Sequence, residues 1–391
     1  MKNGNAVGVR IATYRKLRRM TQHQLVAAAE GRVSYSMLSK VEAGHASPSG
    51  EMIGIIARAL KVDASRLDSD EQQEPTNDLD LVPVIRRALA AVDLMADDIE
   101  STSLTVLEPQ VAQVMTWRRS TRYRKVAEVL PDLIDQLLVA ARDTGEPAYA
   151  LLTDAYRAAN SLAHKFGYID LSITATERME WAANKSGDPL RLATTHFVKA
   201  STLARIGAAP QAMRLLTRAM ADIEPLISGN PLAEAVASTL HMKAGTIAAA
   251  LSDTDASAAH FTEAARLAAE FGDGLAYDTV VGPANVQIYR VAAETDLDRP
   301  DHAIRIAHTT RLPARMAKER QTHFWLDSAR AHLLAGDPDA AIDALCESRA
   351  SSPEHFRASP AVKTTVKAAS KQRRRVDPTL QSLANSAGVI L

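Results

Sequence analysis

The chain has 391 residues, 46% apolar and 24% charged, a mixture that excludes a largely disordered protein. No stretch approaches the roughly 18 uncharged apolar residues of a membrane span. The first residues, Met1 to Arg19, lack the apolar region of a signal peptide, and a single cysteine, Cys346, rules out an internal disulfide or a cysteine-built zinc cluster. The expectation is a cytoplasmic chain with no membrane contact and more than one folding unit. Lys+Arg and Asp+Glu balance at 46 each, but residues 1–66 hold eleven Lys/Arg against four acids, so the remainder is acidic by seven. A small basic head on an acidic body is the footprint of a segment that meets a polyanion.

Aromatics are scarce, hairpin dipeptides are nearly absent apart from Asp273-Gly274, and apolar residues recur at three- and four-residue spacing. The fold class expected is all-α. In the head, a first helix from about Val7 to Arg19 has Val7, Ile11, Tyr14 and Leu17 on its buried face. Thr21 is placed to cap a second helix with Leu25, Val26 and Ala29 inward. After the turn Glu30–Val33, Ser34 caps a third helix anchored by Leu38 and Val41, and Gly44 stands where a helix end needs a left-handed residue. A polar loop with Pro48 and Ser49, an amphipathic fourth helix over 51–62 and a last turn at Ala64–Leu67 complete the head.

This order of capping, buried and polar positions resembles the XRE family of repressor-like, five-helix DNA-binding domains. Arg15, Thr21-Gln22, Leu25, Ser34 to Leu38, Glu42 to Gly44, Pro48-Ser49 and Ala57 to Leu60 carry the resemblance. It implies that the third helix enters the major groove of double-stranded DNA, with Tyr35, Ser36, Ser39 and Lys40 toward the base edges. By the same resemblance Gln22 holds a phosphate, Ser34 opens the reading helix within the interface, and Arg32 and His45 flank it within reach of phosphates. Arg15 and Glu42 match a structural ion pair. A head this small makes few base contacts, so a homodimer on a palindromic operator is expected, with the body supplying the dimer surface.

The stretch 68–80, with six acids and Pro75, reads as a linker between the head (1–67) and the body (81–391). Prolines at 147, 189, 231 and 283 divide the body into segments of about 40–50 residues, the length of one helix–turn–helix repeat. In 322–345, Trp325, Ala329, Gly336-Asp337 and Ala341 stand at the spacing of a tetratricopeptide repeat. The same phase passes through Ala200/Gly207/Ala212, Gly245/Ser252/Ser257, Val291/Asp298/Ala303 and Asn160/Gly167/Ser172. Such a body is a tetratricopeptide-like α-solenoid, and a solenoid offers a concave wall for binding. The phase places Arg157, Ser161, Lys165, Phe197, Ser201, Arg205, Asn285, His323 and Arg330 on that wall, several of them basic, which suits an anionic ligand or a peptide carboxylate.

No phosphate-binding, dinucleotide-binding, zinc-protease or serine-hydrolase motif occurs. His302 and His308 have no third partner for a metal, and Cys346 reads as a small apolar residue. No enzyme activity, cofactor or metal is expected. The cluster Lys363, Lys367, Lys371, Arg373, Arg374 and Arg375 reads as the solvated face of a capping helix. The joint architecture resembles actinomycete XRE regulators and the RRNPP quorum-sensing receptors. It implies a transcription regulator, a repressor by preference, controlled by a peptide or small-molecule effector. The alternative is a repeat domain that docks a partner protein instead.

Overall fold

The computed structural model describes residues 3–18, 20–46, 48, 50–60, 62, 67, 78–90, 100–166, 168–373, 377–389 and 391. Its contacts divide the chain into two compact units, Met1–Glu74 with Gly388–Leu391, and Pro75–Ala387. The final turn at Ala64–Leu67 (save Leu67), most of the 68–80 stretch, and Arg19, Ser49, Gly167, Arg374 and Arg375 lie outside the described residues.

The head consists of α1 (Asn3–Leu17), α2 (Gln22–Ala28), α3 (Tyr35–Glu42) and α4 (Gly50–Ala59). Thr21 caps α2 through a reciprocal box: its hydroxyl accepts from the Gln24 N–H, and the Gln24 side chain accepts from the Thr21 N–H. Ser34 caps α3 by accepting from the Met37 N–H at 3.2 Å. At the other end of α3, Gly44 takes φ 75°. There the His45 N–H reaches the Lys40 carbonyl (2.8 Å) and the Gly44 N–H that of Val41 (3.0 Å), the paired bonds of a left-handed helix end. Val7, Ile11, Leu25, Ala29, Val33, Leu38, Val41, Ile56, Leu60 and Leu67 form one core. Three expected core positions differ, the first being Tyr14, which is only partly buried against the core. Leu17 is 51% exposed, because α1 stops there and no following turn covers it, and Val26 only packs against the core from its edge.

The body begins with α5 (Asp78–Ala90), which starts inside the acidic stretch. Antiparallel hairpins follow: α6 (Leu104–Arg119) with α7 (Tyr123–Thr144), α8 (Glu146–Lys165) with α9 (Ile169–Lys185), α10 (Pro189–Arg205) with α11 (Ala209–Ile223), and α12 (Pro231–Ala250) with α13 (Thr254–Phe271). Next come α14 (Pro283–Asp296) with α15 (Pro300–Thr309), and α16 (Lys318–Leu334) with α17 (Pro338–Ser351). Three short helices close the unit: α18 (Pro353–Ala358), α19 (Pro360–Gln372) and α20 (Pro378–Ala387). The four prolines that divide the sequence sit in the first turn of α8, α10, α12 and α14, as Pro353 does in α18, where their missing N–H has no helical partner to lose. The small residues of the repeat phase meet across two of the hairpins, α8–α9 and α12–α13. The Ser257 hydroxyl donates to the Gly245 carbonyl at 3.0 Å, and the Asn160 amide donates to the Ser172 carbonyl (3.0 Å) and hydroxyl (2.8 Å).

One element departs from the helical expectation. Strands β1 (Gly274–Ala276) and β2 (Thr279–Val281) pair antiparallel between α13 and α14. Tyr277 and Asp278 join them with φ 46° and 55°, the double left-handed turn whose twist suits a hairpin. The row of helices also curls back on itself. The Tyr123 hydroxyl at the start of α7 hydrogen-bonds His355 of α18 at 3.0 Å, the Tyr123 N–H donates to Glu354 (3.0 Å), and the Thr121 and Ser352 hydroxyls meet at 2.7 Å. Among the described residues no helix is long and apolar enough to cross a membrane, and no group of three or more His, Cys, Asp or Glu is placed to hold a metal.

Candidate functional site

On α3, Leu38 and Val41 face the core, which turns Tyr35, Ser36, Ser39 and Lys40 to the opposite side. Tyr35, Ser36 and Lys40 are exposed and Ser39 half-exposed; Ser34, Arg32 and His45 are exposed beside them. The Tyr35 ring is not free of neighbours: it stacks on His23 of α2, with centroids 4.2 Å apart and planes 24° apart. His23 escaped the sequence reading because a lone histidine in a first helical turn carries no pattern.

The frame behind this face is a half-buried network. Arg15 of α1 grips Glu42 of α3 with two N–H···O bonds of 2.7 Å and donates to the Met20 carbonyl at 2.8 Å. Gln22, expected at a phosphate, donates its side-chain amide to Glu42 at 2.8 Å, so one of its donors already serves this frame. Burial pushes the Glu42 carboxyl up, but the hydrogen bonds from Arg15 and Gln22, with the charges of Arg15 and Lys16, outweigh it and hold the group below its ordinary 4.5. A depressed carboxylate contributes stability above its unfolded pKa and loses it as pH falls through the folded value. The tertiary hold on α3 is therefore expected to weaken as pH falls below about 4.5, and Glu42→Gln should remove that dependence. Amide hydrogen exchange over residues 34–44 at pH 3.5 to 6 measures it; equal pH profiles for variant and parent would refute it.

The second candidate lies wholly in the body. The first helix of each hairpin, α6, α8, α10, α12, α14 and α16, turns one face to a common basin of about 230 Å³, which the β-hairpin borders. Eight of the nine residues expected on the concave wall line it: Arg157, Ser161, Lys165, Phe197, Ser201, Arg205, Asn285 and His323. Arg330 does not. It faces the α14–α16 seam, donating to Asp296 (2.6 Å) and Asp327 (2.9 Å), and is spent there.

Arg118, Arg119, Lys243, Asp278, Tyr289, Glu319 and Arg320 also line the basin and were missed. Lys243 and Tyr289 stand two residues before the small residue of their hairpins, next to the position that Arg157 and Phe197 hold in theirs, so the repeat phase held their signal. Asp278 had none, because a hairpin brings it in. From the turn it ion-pairs with both Arg118 and Arg119. Arg157 braces the same turn, donating to the Tyr277 carbonyl and the Thr279 hydroxyl, each at 2.6 Å.

Burial first, then repulsion from Arg118, pushes the Arg157 guanidinium down to about 9, and burial takes Arg205 to about 10. Burial and neighbouring cations push His164 down to about 2 and His323 well below its usual value, so both imidazoles are neutral at ordinary pH. Burial works to raise Glu319, but Lys165 at 3.0 Å, with Arg320, His323 and His355 around it, holds that carboxyl well below the usual range.

A capped α3 with an exposed polar face in the helical head and a row of helical hairpins in the body together define the class: a helix-turn-helix domain joined to a helical-repeat domain. Residues 11–67 match the family model described as Helix-turn-helix, and the N-terminal unit is a helix-turn-helix of the XRE type, the DNA-binding module of transcription regulators. Among solved structures the chain is similar to the crystal structure of Bacillus thuringiensis PlcR in complex with the peptide PapR7 and DNA. The two share 16% identity over 67% of this chain and 94% of that one, at a TM-score of 0.34. No curated protein matches the chain.

Proposed function

We propose that this protein is a sequence-specific transcription regulator that reads double-stranded DNA with α3 and is controlled by an effector held in the basin of the body. The observation that carries the first half is the exposed polar face Tyr35–Ser36–Ser39–Lys40, fixed from behind by the Arg15–Glu42–Gln22 network. Lys40 suits guanine O6/N7, the serine hydroxyls suit donors or acceptors, and Arg32, Gln22 and His45 supply backbone contacts. Ser34 contributes by capping the helix whose first turn meets the bases. Two copies on a palindromic operator would multiply the few contacts each head can make, and repression by occlusion is the reading we adopt. The curl of hairpins around a basin supports control by a diffusible effector, peptide or small molecule, over docking of a partner protein, because the candidate residues converge inward on a space of about 230 Å³. Effector binding would shift the body between two arrangements and with it the fit of paired heads to two half-sites.

The test is selection of duplexes from a random pool by the full chain, followed by affinity measurement on the enriched sequence. Lys40→Ala and Tyr35→Ala should each weaken binding by about 1–3 kcal/mol, with Lys40→Ala relaxing preference at one base pair. Arg32→Ala should weaken all sequences alike and flatten the salt dependence by about one unit of slope. Parent-like binding by both α3 variants across a salt series removes α3 as the reading element.

A further inference from the structure

The basin holds more positive charge than its own carboxylates answer. Of its cations, Arg118 and Arg119 share Asp278, and Lys165 has Glu319. Arg157, Arg205, Lys243 and Arg320 make no ion pair with any carboxylate among the described residues. Arg157 and Arg205 donate only to neutral oxygens: a backbone carbonyl and the hydroxyls of Thr279, Thr202 and Ser172. The Lys243 ammonium sits over the rings of Phe197 (5.4 Å) and Tyr289 (5.2 Å), and the Arg320 guanidinium sits 5.3 Å from the same Tyr289 ring. Ring faces attract cations but do not neutralise them. Four cations without an ion pair of their own converge on one space from α8, α10, α12 and α16; Glu319, Asp154 and Asp327 act on Arg157 and Arg320 only beyond ion-pair distance, so the space keeps an excess of positive charge.

Size and charge together narrow what such a space accepts. About 230 Å³ lies below the roughly 300–1,000 Å³ of sites for drug-sized ligands, so the occupant is compact. One carboxylate, such as the end of a peptide, answers one cation of four. A phosphoryl group presents several oxygens at once and matches the planar fork of a guanidinium with paired hydrogen bonds, so two phosphoryl groups can answer all four. The flanking faces of Tyr289 and Phe197 and the neutral His164 and His323 leave room for an uncharged, hydroxylated portion between or beside them.

We infer that the basin binds a compact ligand carrying two phosphoryl groups, a small diphosphate or bisphosphate, and that this is the effector of the body; the second clause rests on the regulator reading above. The experiment is calorimetric titration of the full chain at fixed ionic strength with three probes: inorganic pyrophosphate, fructose 1,6-bisphosphate and sulfate. A single saturable site is expected for at least one diphosphoryl probe, tighter than for sulfate by about tenfold or more, since each added charged hydrogen bond is worth roughly that factor. Preference between the first two probes separates an inorganic from an organic source. Lys243→Met and Arg320→Gln should each weaken that binding about tenfold without lowering the thermal melt.

Sulfate binding as tightly as both diphosphoryl probes, titrations without saturable heat, or variants that bind like the parent would each overturn the proposal. Repeating the DNA measurement with the probe at saturation keeps the two readings apart. A probe that fills the basin without altering DNA affinity ends the effector reading and leaves the site standing. A short-peptide pool that alters DNA affinity, where neither diphosphoryl probe binds, ends the diphosphoryl assignment and leaves the regulator standing.

Discussion

Gly8→Ala is expected to unfold the head while the body stays folded. A β-carbon added at Gly8 would lie 1.8 Å from the carbonyl oxygen of Val41 and 2.8 Å from its carbon, inside any real contact distance. The clashing atoms are backbone, in the last turn of α3, so no side chain can swing aside. Either α1 lifts away from α3 or α3 moves, and both break the core built from Ile11, Leu38 and Val41 and pull Arg15 from Glu42. Overpacking of a core costs about 1–3 kcal/mol even where side chains can adjust. A unit of this size has only about 3–10 kcal/mol in hand. Residues 22–42 should therefore lose most of their protection in hydrogen exchange on the full chain, and DNA binding should fall with them. The tryptophans, Trp117, Trp181 and Trp325, all lie in the body, so an unchanged fluorescence transition separates local from global unfolding. Val9→Ala, one residue along on an exposed face, is the control and should stay within about 0.5 kcal/mol of the parent. Parent-like protection in Gly8→Ala would show that α1 and α3 do not approach so closely in solution.

The head was legible because its signals are local. Thr21 with Gln24, Ser34 with Met37, and Gly44 after Glu42 each mark a helix end through bonds spanning a few residues, so the sequence displays them directly. Leu17 was misplaced for the complementary reason: burial depends on what lies opposite, and nothing in the period of α1 says where the helix stops being covered. In the body, the small residues and the prolines in first helical turns gave the hairpins, and the phase gave eight basin residues without knowledge of the curl. Arg330 failed because its phase is right but its charge is captured by Asp296, thirty-four residues away. The β-hairpin was hidden further. Asp273-Gly274 pointed to a turn, yet the turn falls at Tyr277-Asp278, two residues with side chains rarely held left-handed. Their conformation is imposed by Arg157 and by the Arg118–Arg119 pair, contacts separated by 120 to 160 residues and invisible to any short window.

Those same contacts give the second large expectation: Asp278→Asn should destabilise the body by about 3–5 kcal/mol, the usual consequence of stripping one partner from a buried ion pair. Arg118 is 8% exposed and Asp278 answers both it and Arg119, so the substitution leaves two guanidinium groups in a space already rich in positive charge. Asparagine keeps the size of the side chain and tolerates the left-handed backbone of the turn, which confines the change to charge. Denaturant unfolding followed by tryptophan fluorescence reads the loss directly, since all three indoles report on this unit. Arg118→Met combined with Asp278→Asn removes a cation together with its counter-charge, so the double variant should lose less than the sum of the single changes by roughly 1.5 kcal/mol or more. Additive losses would mean that the two groups do not sense each other, and that the turn is held by its backbone bonds to Arg118 and Arg157 alone. The coupled outcome would make the hairpin the electrostatic closure of the basin: one carboxylate, delivered by a left-handed turn, holding together two of the cations the curl of helices forces into proximity.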